Sequence, residues 1–244
     1  MSHRLRRAAL LLAAPVAMAL LAGCSGGGAP QAKSSPPTGQ YSLDTASPAP
    51  GSTVQPNRYE FGARIDNPWF PLWPGTRMRY VEHRPGGTAT EVVTVTRRTR
   101  MVSGVVTTVV HTTTRAGGTV QSGTAFYAQD IDGNVWLFGR DPSGAAQASW
   151  MSGQDGAKPL VVMPARPQKG SSYGGAEAAG WAAVTGRATV VAEGATAHVP
   201  AGRYTDLLVS TSGQTRSYYA KGTGLVLAQS PRGRTELVKT TLFD

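Results

Sequence analysis

A few groups of residues in this chain have types and spacings that could do chemistry. Gly170-Ser171-Ser172-Tyr173-Gly174 fits G-x-S-x-G, the pattern that holds a nucleophilic serine on a sharp strand-to-helix turn, and Glu193 and His198 follow in the order that acyl hydrolysis would use. Asp130, Asp132 and Asn134, with Asp141 in the twelfth position, supply oxygen ligands at the spacing of a calcium loop. His83, His111 and His198 are candidate metal ligands by type alone. The single cysteine, Cys24, is the only thiol available for modification or redox chemistry.

Each group has to be weighed against the element that would carry it. The serine motif works in a parallel sheet covered by helices, but Pro164 and Pro167 stand where a strand should feed into it, so residues 170–174 read as a loop. The acidic loop needs glycine at its sixth position, where Val135 stands, and its flanks look like strands, so Asp132-Gly133 reads as a hairpin turn. The three histidines lack the short spacing of a metal motif. No phosphate loop and no dinucleotide fingerprint is present. The expectation is therefore no catalytic residue, no metal and no cofactor. A cell-envelope serine hydrolase using Ser172 and His198 is the alternative.

The elements themselves are predominantly strands. Val- and Thr-rich runs separated by glycine turns cover Thr76–His83, Thr90–Thr96, Val105–Thr114, Gln121–Asp130, Val135–Arg140 and Leu160–Met163. After an irregular stretch, strands resume at Arg187–Glu193, Ala197–Pro200, Tyr204–Thr211, Thr215–Ala220, Gly224–Gln229 and Thr235–Phe243. Ala176–Ala183 is the one segment suited to a short helix. This predicts an all-β fold, with at most one or two short helices, built as a single curved antiparallel sheet or half-open barrel. Without a cysteine pair the fold has no disulfide and must stand on burial.

Aromatic residues suggest where a ligand could bind. A two-residue turn at Asp132-Gly133 would pair Ala128 with Leu137 on one face, and Tyr127 with Phe138 and Gln129 with Trp136 on the other; a bulge in the turn would shift these partners by one. Both faces would carry apolar groups, so both are covered or one is a hydrophobic concavity. Asn67-Pro68-Trp69-Phe70-Pro71-Leu72-Trp73-Pro74-Gly75 is too rich in proline for helix or central strand and reads as a plug over an open sheet end. Tyr127, Trp136 and Phe138, with Trp69, Phe70 and Trp73, are the expected ligand-facing residues if the sheet encloses a site.

The amino terminus carries an address. Arg4, Arg6 and Arg7 precede an uncharged apolar run, Ala8 to Leu20, which leads into Leu21-Ala22-Gly23-Cys24, the order of an export signal. This run resembles a bacterial lipobox, and the resemblance implies that Cys24 is lipidated and becomes the first residue of a mature lipoprotein. On that reading residues 1–23 are the signal peptide. Residues 24–57, rich in Gly, Ser, Pro, Ala and Thr, form a lipidated, disordered tether. Residues 58–244 form the β-domain. The location implied is the extracytoplasmic face of the cell membrane.

Charge and further motifs complete the reading. The formal net charge is +10 and falls to +7 when Arg4, Arg6 and Arg7 leave with the signal peptide. A basic surface outside the cytoplasm points to anionic lipid or acidic envelope polymer and away from nucleic acid. Val199-Pro200-Ala201-Gly202-Arg203-Tyr204, followed by Tyr218-Tyr219-Ala220-Lys221-Gly222-Thr223-Gly224-Leu225-Val226, is similar to a pattern in uncharacterised bacterial secreted and lipoprotein β-domains. Tyr127-Ala128-Gln129-Asp130 with Gly133-Asn134-Val135-Trp136 also looks like part of that group. The resemblance implies a curved antiparallel sheet and transfers no catalytic residues. The function expected is non-enzymatic binding of a hydrophobic envelope component or a protein partner, with the membrane as a further partner through Cys24. A structural or assembly role in the envelope is the remaining alternative.

Overall fold

β-Branched residues dominate the chain between glycine turns, and nearly every such run is a strand. The computed structural model describes residues 60–143, 149–174 and 187–242, all within the unit Thr45–Asp244. Cys24, the expected signal peptide and tether, and the expected helix at Ala176–Ala183 lie outside the described residues. Among the described residues there are fourteen strands and no α-helix: β1 (Phe61–Gly62), β2 (Thr76–Arg84), β3 (Gly87–Val102), β4 (Val105–Ala116), β5 (Thr119–Asp130), β6 (Val135–Ser143), β7 (Trp150–Met151), β8 (Leu160–Met163), β9 (Ser172–Tyr173), β10 (Ala188–Val199), β11 (Gly202–Ser212), β12 (Thr215–Ala220), β13 (Gly224–Ser230) and β14 (Gly233–Leu242).

They form one antiparallel sheet in the order β7-β6-β5-β4-β3-β2-β14-β13-β12-β11-β10-β9, with β1 on β5 and β8 on β6. All but one of the neighbours along this path are consecutive in sequence. The exception is β14 against β2, which joins the last strand to the first long one, with Leu242 opposite Thr76 and Leu237 opposite Tyr80. The main core draws on both ends of the sheet, from Leu137 and Leu160 on one side to Tyr173, Val190 and Leu207 on the other. The sheet therefore curls around one face. The edges meet at β8 and β9, which touch without pairing. This is the half-open barrel.

Several strands run differently from their sequence reading. β3 runs on past the expected end at Thr96 through Arg97, Arg98 and Arg100. The register breaks between Val95 and Thr99, and the Thr96 hydroxyl donates to Val109 O at 2.8 Å and accepts from Arg98 N at 3.1 Å. A bulge thus absorbs residues that do not fit a regular ladder. Arg187–Glu193 and Ala197–Pro200 are not separate strands: β10 runs through Gly194, at φ +76°, with its register shifting on both sides of it. The two-residue strands β1, β7 and β9 are too short to leave a periodic signal.

The most consequential difference is in the β5–β6 hairpin. Tyr127 pairs with Leu137, Ala128 with Trp136 and Gln129 with Val135, one residue away from a two-residue turn. The loop has three residues, Ile131 to Gly133. Gly133 N donates to Asp130 O at 3.0 Å, and Asp130 N to Asn134 O at 3.0 Å. Asp130 imposes this geometry with its side chain: its carboxylate accepts from Asn134 N at 2.8 Å, Asn134 Nδ2 at 2.9 Å and Trp136 Nε1 at 2.7 Å. Gly133 takes φ +95°, as a three-residue hairpin requires. A second irregularity between Phe126 and Tyr127 then leaves Phe138 as the extra residue.

This register moves side chains between faces. Phe126, Ala128 and Phe138 form a small outer cluster with Val102, Val105, Val109 and Met151, against which Phe61 and Trp136 pack. Tyr127 and Leu137 belong to the main core on the inner face. Both faces are apolar, but Tyr127 does not share a face with Trp136 and Phe138 as the simple turn predicted. Phe61 of β1 covers the outer pair edge-on, with ring centroids 5.8 Å from Trp136 and 5.1 Å from Phe138.

Candidate functional site

The register of β2 to β7 builds the inner face in rows. One row is Tyr80, Glu91, Thr114 and Gln121. The next is Met78, Val93, Thr112, Gly123 and Pro142. The third is Val95, Val110, Ala125, Arg140 and Trp150. Along β5 the inward residues Gly123 and Ala125 are small. Where the curled wall carries no bulky side chain, the opposite wall cannot reach, and a cavity of about 660 Å³ remains. That lies within the size range of ligand sites, about 300–1,000 Å³.

The floor of this cavity is apolar and buried: Leu72, Met78, Val110, Tyr127 and Trp150. Its outer part is polar, with Thr114, Gln121 and Ser122, and one exposed apolar residue, Val120. Among the described residues two charged ones line it, Glu91 on β3 and Arg140 on β6. Burial, with Glu82 adding to it, raises the Glu91 carboxyl above its ordinary value, while the Thr114 hydroxyl, Arg140 and Arg84 act against the shift. Thr114 Oγ1 lies 3.4 Å from Glu91 Oε2. Tyr80 donates its hydroxyl to Leu225 O at 3.0 Å, and burial pushes its phenol well above the usual range.

The proline-rich segment closes one end, and Phe70, Pro71 and Leu72 line the cavity. Asn67 holds the segment in place. Its Nδ2 donates to Gly133 O at 2.9 Å and Pro164 O at 3.0 Å, and its Oδ1 accepts from Trp69 N at 2.9 Å and Phe70 N at 3.2 Å. The Ala220–Gly224 turn supports it from the other side: Gly222 N donates to Pro68 O at 2.7 Å, and the Lys221 ammonium lies 5.1 Å from the Trp69 ring centre. Lys221-Gly222-Thr223-Gly224, quoted above for its resemblance, is thus the seat of the plug.

The six aromatic residues expected to face a ligand divide sharply. Tyr127 and Phe70 line the cavity and approach each other, with ring centroids 5.7 Å apart. Trp136 and Phe138 are on the outer face. Trp69 packs against the main core and is not among the residues that line the cavity, and Trp73 is 42% exposed beneath Arg64. Sequence reasoning missed Glu91, Arg140 and Trp150. The available signal was the pair of small residues at alternating positions of β5, Gly123 and Ala125, which marks a wall without bulk.

The other chemical groups do not converge. Ser172 lies on the edge strand β9, its hydroxyl 2.9 Å from that of Thr189. His198 is nine residues further along β10, opposite Arg203, roughly 25–30 Å away at about 3.3 Å per residue. Glu193 Oε1 instead accepts from Lys169 N at 2.9 Å. The Asp130 carboxylate is occupied by the three N–H groups of its hairpin. His83 stands 3.6 Å from Glu236, and His111 meets Thr124 at 2.9 Å.

No family profile matches the chain, and no curated protein matches it in sequence. Among solved structures it is similar to a Bacteroides fragilis protein described as a "putative exported protein with YMCC-like fold", at 14% identity, over 71% of this chain and 98% of that one, with a TM-score of 0.41.

Proposed function

We propose that this protein is a membrane-anchored extracytoplasmic lipoprotein that binds a lipophilic ligand non-enzymatically on the inner face of its sheet. The observation that carries this reading is the cavity of about 660 Å³ with a buried apolar floor. Water gains little on such a floor, whereas an aliphatic group placed there is stabilised by roughly 25 cal/mol per Å² of apolar surface removed from water. The lipobox-like run ending at Cys24 would place the domain beside a bilayer, where lipophilic ligands are found. Residues 24–57 would serve as tether and 58–244 as the binding domain.

The test is extraction. The full chain is purified from its native envelope, and bound lipid is identified by mass spectrometry beside an Ala125→Phe variant, whose ring should occupy the cavity. Ligand on the wild type at near-stoichiometric amount, and its loss from the variant, is the expected result. Equal lipid on both, in two folded proteins, would refute the reading.

A further inference from the structure

Within the cavity, Arg140 and Trp150 form a distinct polar corner. They are cross-strand partners between β6 and β7, and both line the cavity. Trp150 is 5% exposed, and its buried indole N–H has no hydrogen-bond partner among the described residues. Buried donors are ordinarily satisfied; this one belongs to a ring that borders the cavity but is itself closed to a water-sized sphere, so it would meet a ligand acceptor once the ring turns. Arg140 is half-buried, and among the described residues it forms no ion pair. Guanidinium and indole are both donors without any acceptor capacity. A ligand group that satisfies both must accept hydrogen bonds, and beside a recessed guanidinium a negative charge is favoured.

The rest of the cavity defines the remainder of the ligand. The apolar floor of Leu72, Met78, Val110 and Tyr127 suits a hydrocarbon tail. At about 30 Å³ for each water-sized group, a cavity of about 660 Å³ holds roughly twenty heavy atoms, which is one acyl chain rather than two. Glu91, on β3, three strands away from Arg140 on β6, is held toward its neutral form by burial although the Arg140 charge acts against this, so the position favouring an anion is the Arg140–Trp150 corner.

We infer that the cavity takes a single-chain amphiphile with one anionic head group, the head accepting hydrogen bonds from Arg140 and Trp150 Nε1 and the tail lying on the apolar floor. This rests on the cavity reading above and adds to it the charge and chain number of the ligand. A carboxylate and a phosphate monoester share the required chemistry.

The test separates the two readings. The full chain is prepared as Cys24→Ala, so that no acyl group of its own competes, and the Ala125→Phe form of that chain gives the background. Fluorescent cis-parinaric acid and its methyl ester are titrated in parallel; they share a tail and differ in charge. The acid should bind about tenfold or more tighter than the ester. Arg140→Gln should abolish that preference while leaving the ester unchanged, Arg140→Lys should keep part of it, and Trp150→Phe should weaken the acid alone. Displacement by monohexadecyl phosphate and by palmitate then ranks the two head groups, and stronger displacement by either supports an anionic site and names its source. Equal binding of acid and ester to the wild type, or an equal loss of both in Arg140→Gln, would overturn the head-group assignment and leave the cavity reading standing. Binding of neither probe above the Ala125→Phe background would overturn both.

Discussion

Asn67→Ala should be among the most damaging single substitutions in the domain, although Asn67 lies in no strand. The side chain is 2% exposed and makes four hydrogen bonds: two donated to Gly133 O and Pro164 O, and two accepted from Trp69 N and Phe70 N. Alanine removes both roles and leaves two carbonyls and two amides without these partners. A net contribution of about 1 kcal/mol per bond gives roughly 3–5 kcal/mol of lost stability, a large share of the roughly 5–15 kcal/mol that holds a typical domain together. The damage should also reach the cavity, because Phe70, Pro71 and Leu72 line it and lose their tether. The assay is urea unfolding followed by tryptophan fluorescence, with Arg64→Ala as control. Arg64 pairs with Asp66 at 3.2 Å, but its side chain is 77% exposed, so the control should lose less than about 1 kcal/mol. A loss below about 1 kcal/mol for Asn67→Ala would show that water replaces the side chain at no great cost, and would refute the idea that Asn67 fixes the plug.

Three further outcomes are expected. In the β5–β6 hairpin, Gly133→Val should cost about 1 kcal/mol or more because a β-carbon is strained at φ +95°, Asp132→Asn should be nearly neutral, and Asp130→Asn should be clearly destabilising because that carboxylate holds three N–H groups; equal effects of Asp132→Asn and Asp130→Asn in chemical denaturation would contradict the assignment. The Glu91 carboxyl is raised in the folded state, so the native protein holds its proton longer than the unfolded chain does. The Glu91 contribution to stability should be fully present below the ordinary glutamate range and should be lost as pH rises through the raised value, and Glu91→Gln should flatten this part of the pH–stability curve; an unchanged slope would assign it to other groups. Finally, Cys24→Ala should leave the chain unlipidated, and a mature-sized variant that still partitions into detergent would contradict the lipobox reading.

Much of the strand pattern was legible because its causes are local. β8 and β12 have the ends their sequence suggests, and the other long strands extend the expected runs by a few residues or join two of them. Gly86, Gly133 and Gly222 mark turns where positive φ is needed. The bulges in β3 and β10 were not legible, since a bulge is a relation between two strands. The candidate site was legible only in part for the same reason. Tyr127 and Phe70 reach the cavity, whereas Trp136 and Phe138 lie on the outer face because the hairpin pairs one residue away from a two-residue turn.

By itself the sequence determines the alternation of strand and turn, the absence of a cysteine pair for a disulfide, and an apolar run that ends at a lone cysteine. Backbone sterics and short-range composition decide these, and neither needs to know what lies across the sheet. Only the tertiary structure decides which face each ring occupies, because side chains alternate with a period of two and the Asp130 hairpin moves the pairing by one. It also decides that β14 pairs with β2, that the sheet curls until β8 touches β9, and that Arg140, Trp150 and Glu91 line one cavity. Those three residues come from separate strands and share no motif. What brings them together is a curvature set by every pairing in the sheet at once, which no local stretch of the chain encodes.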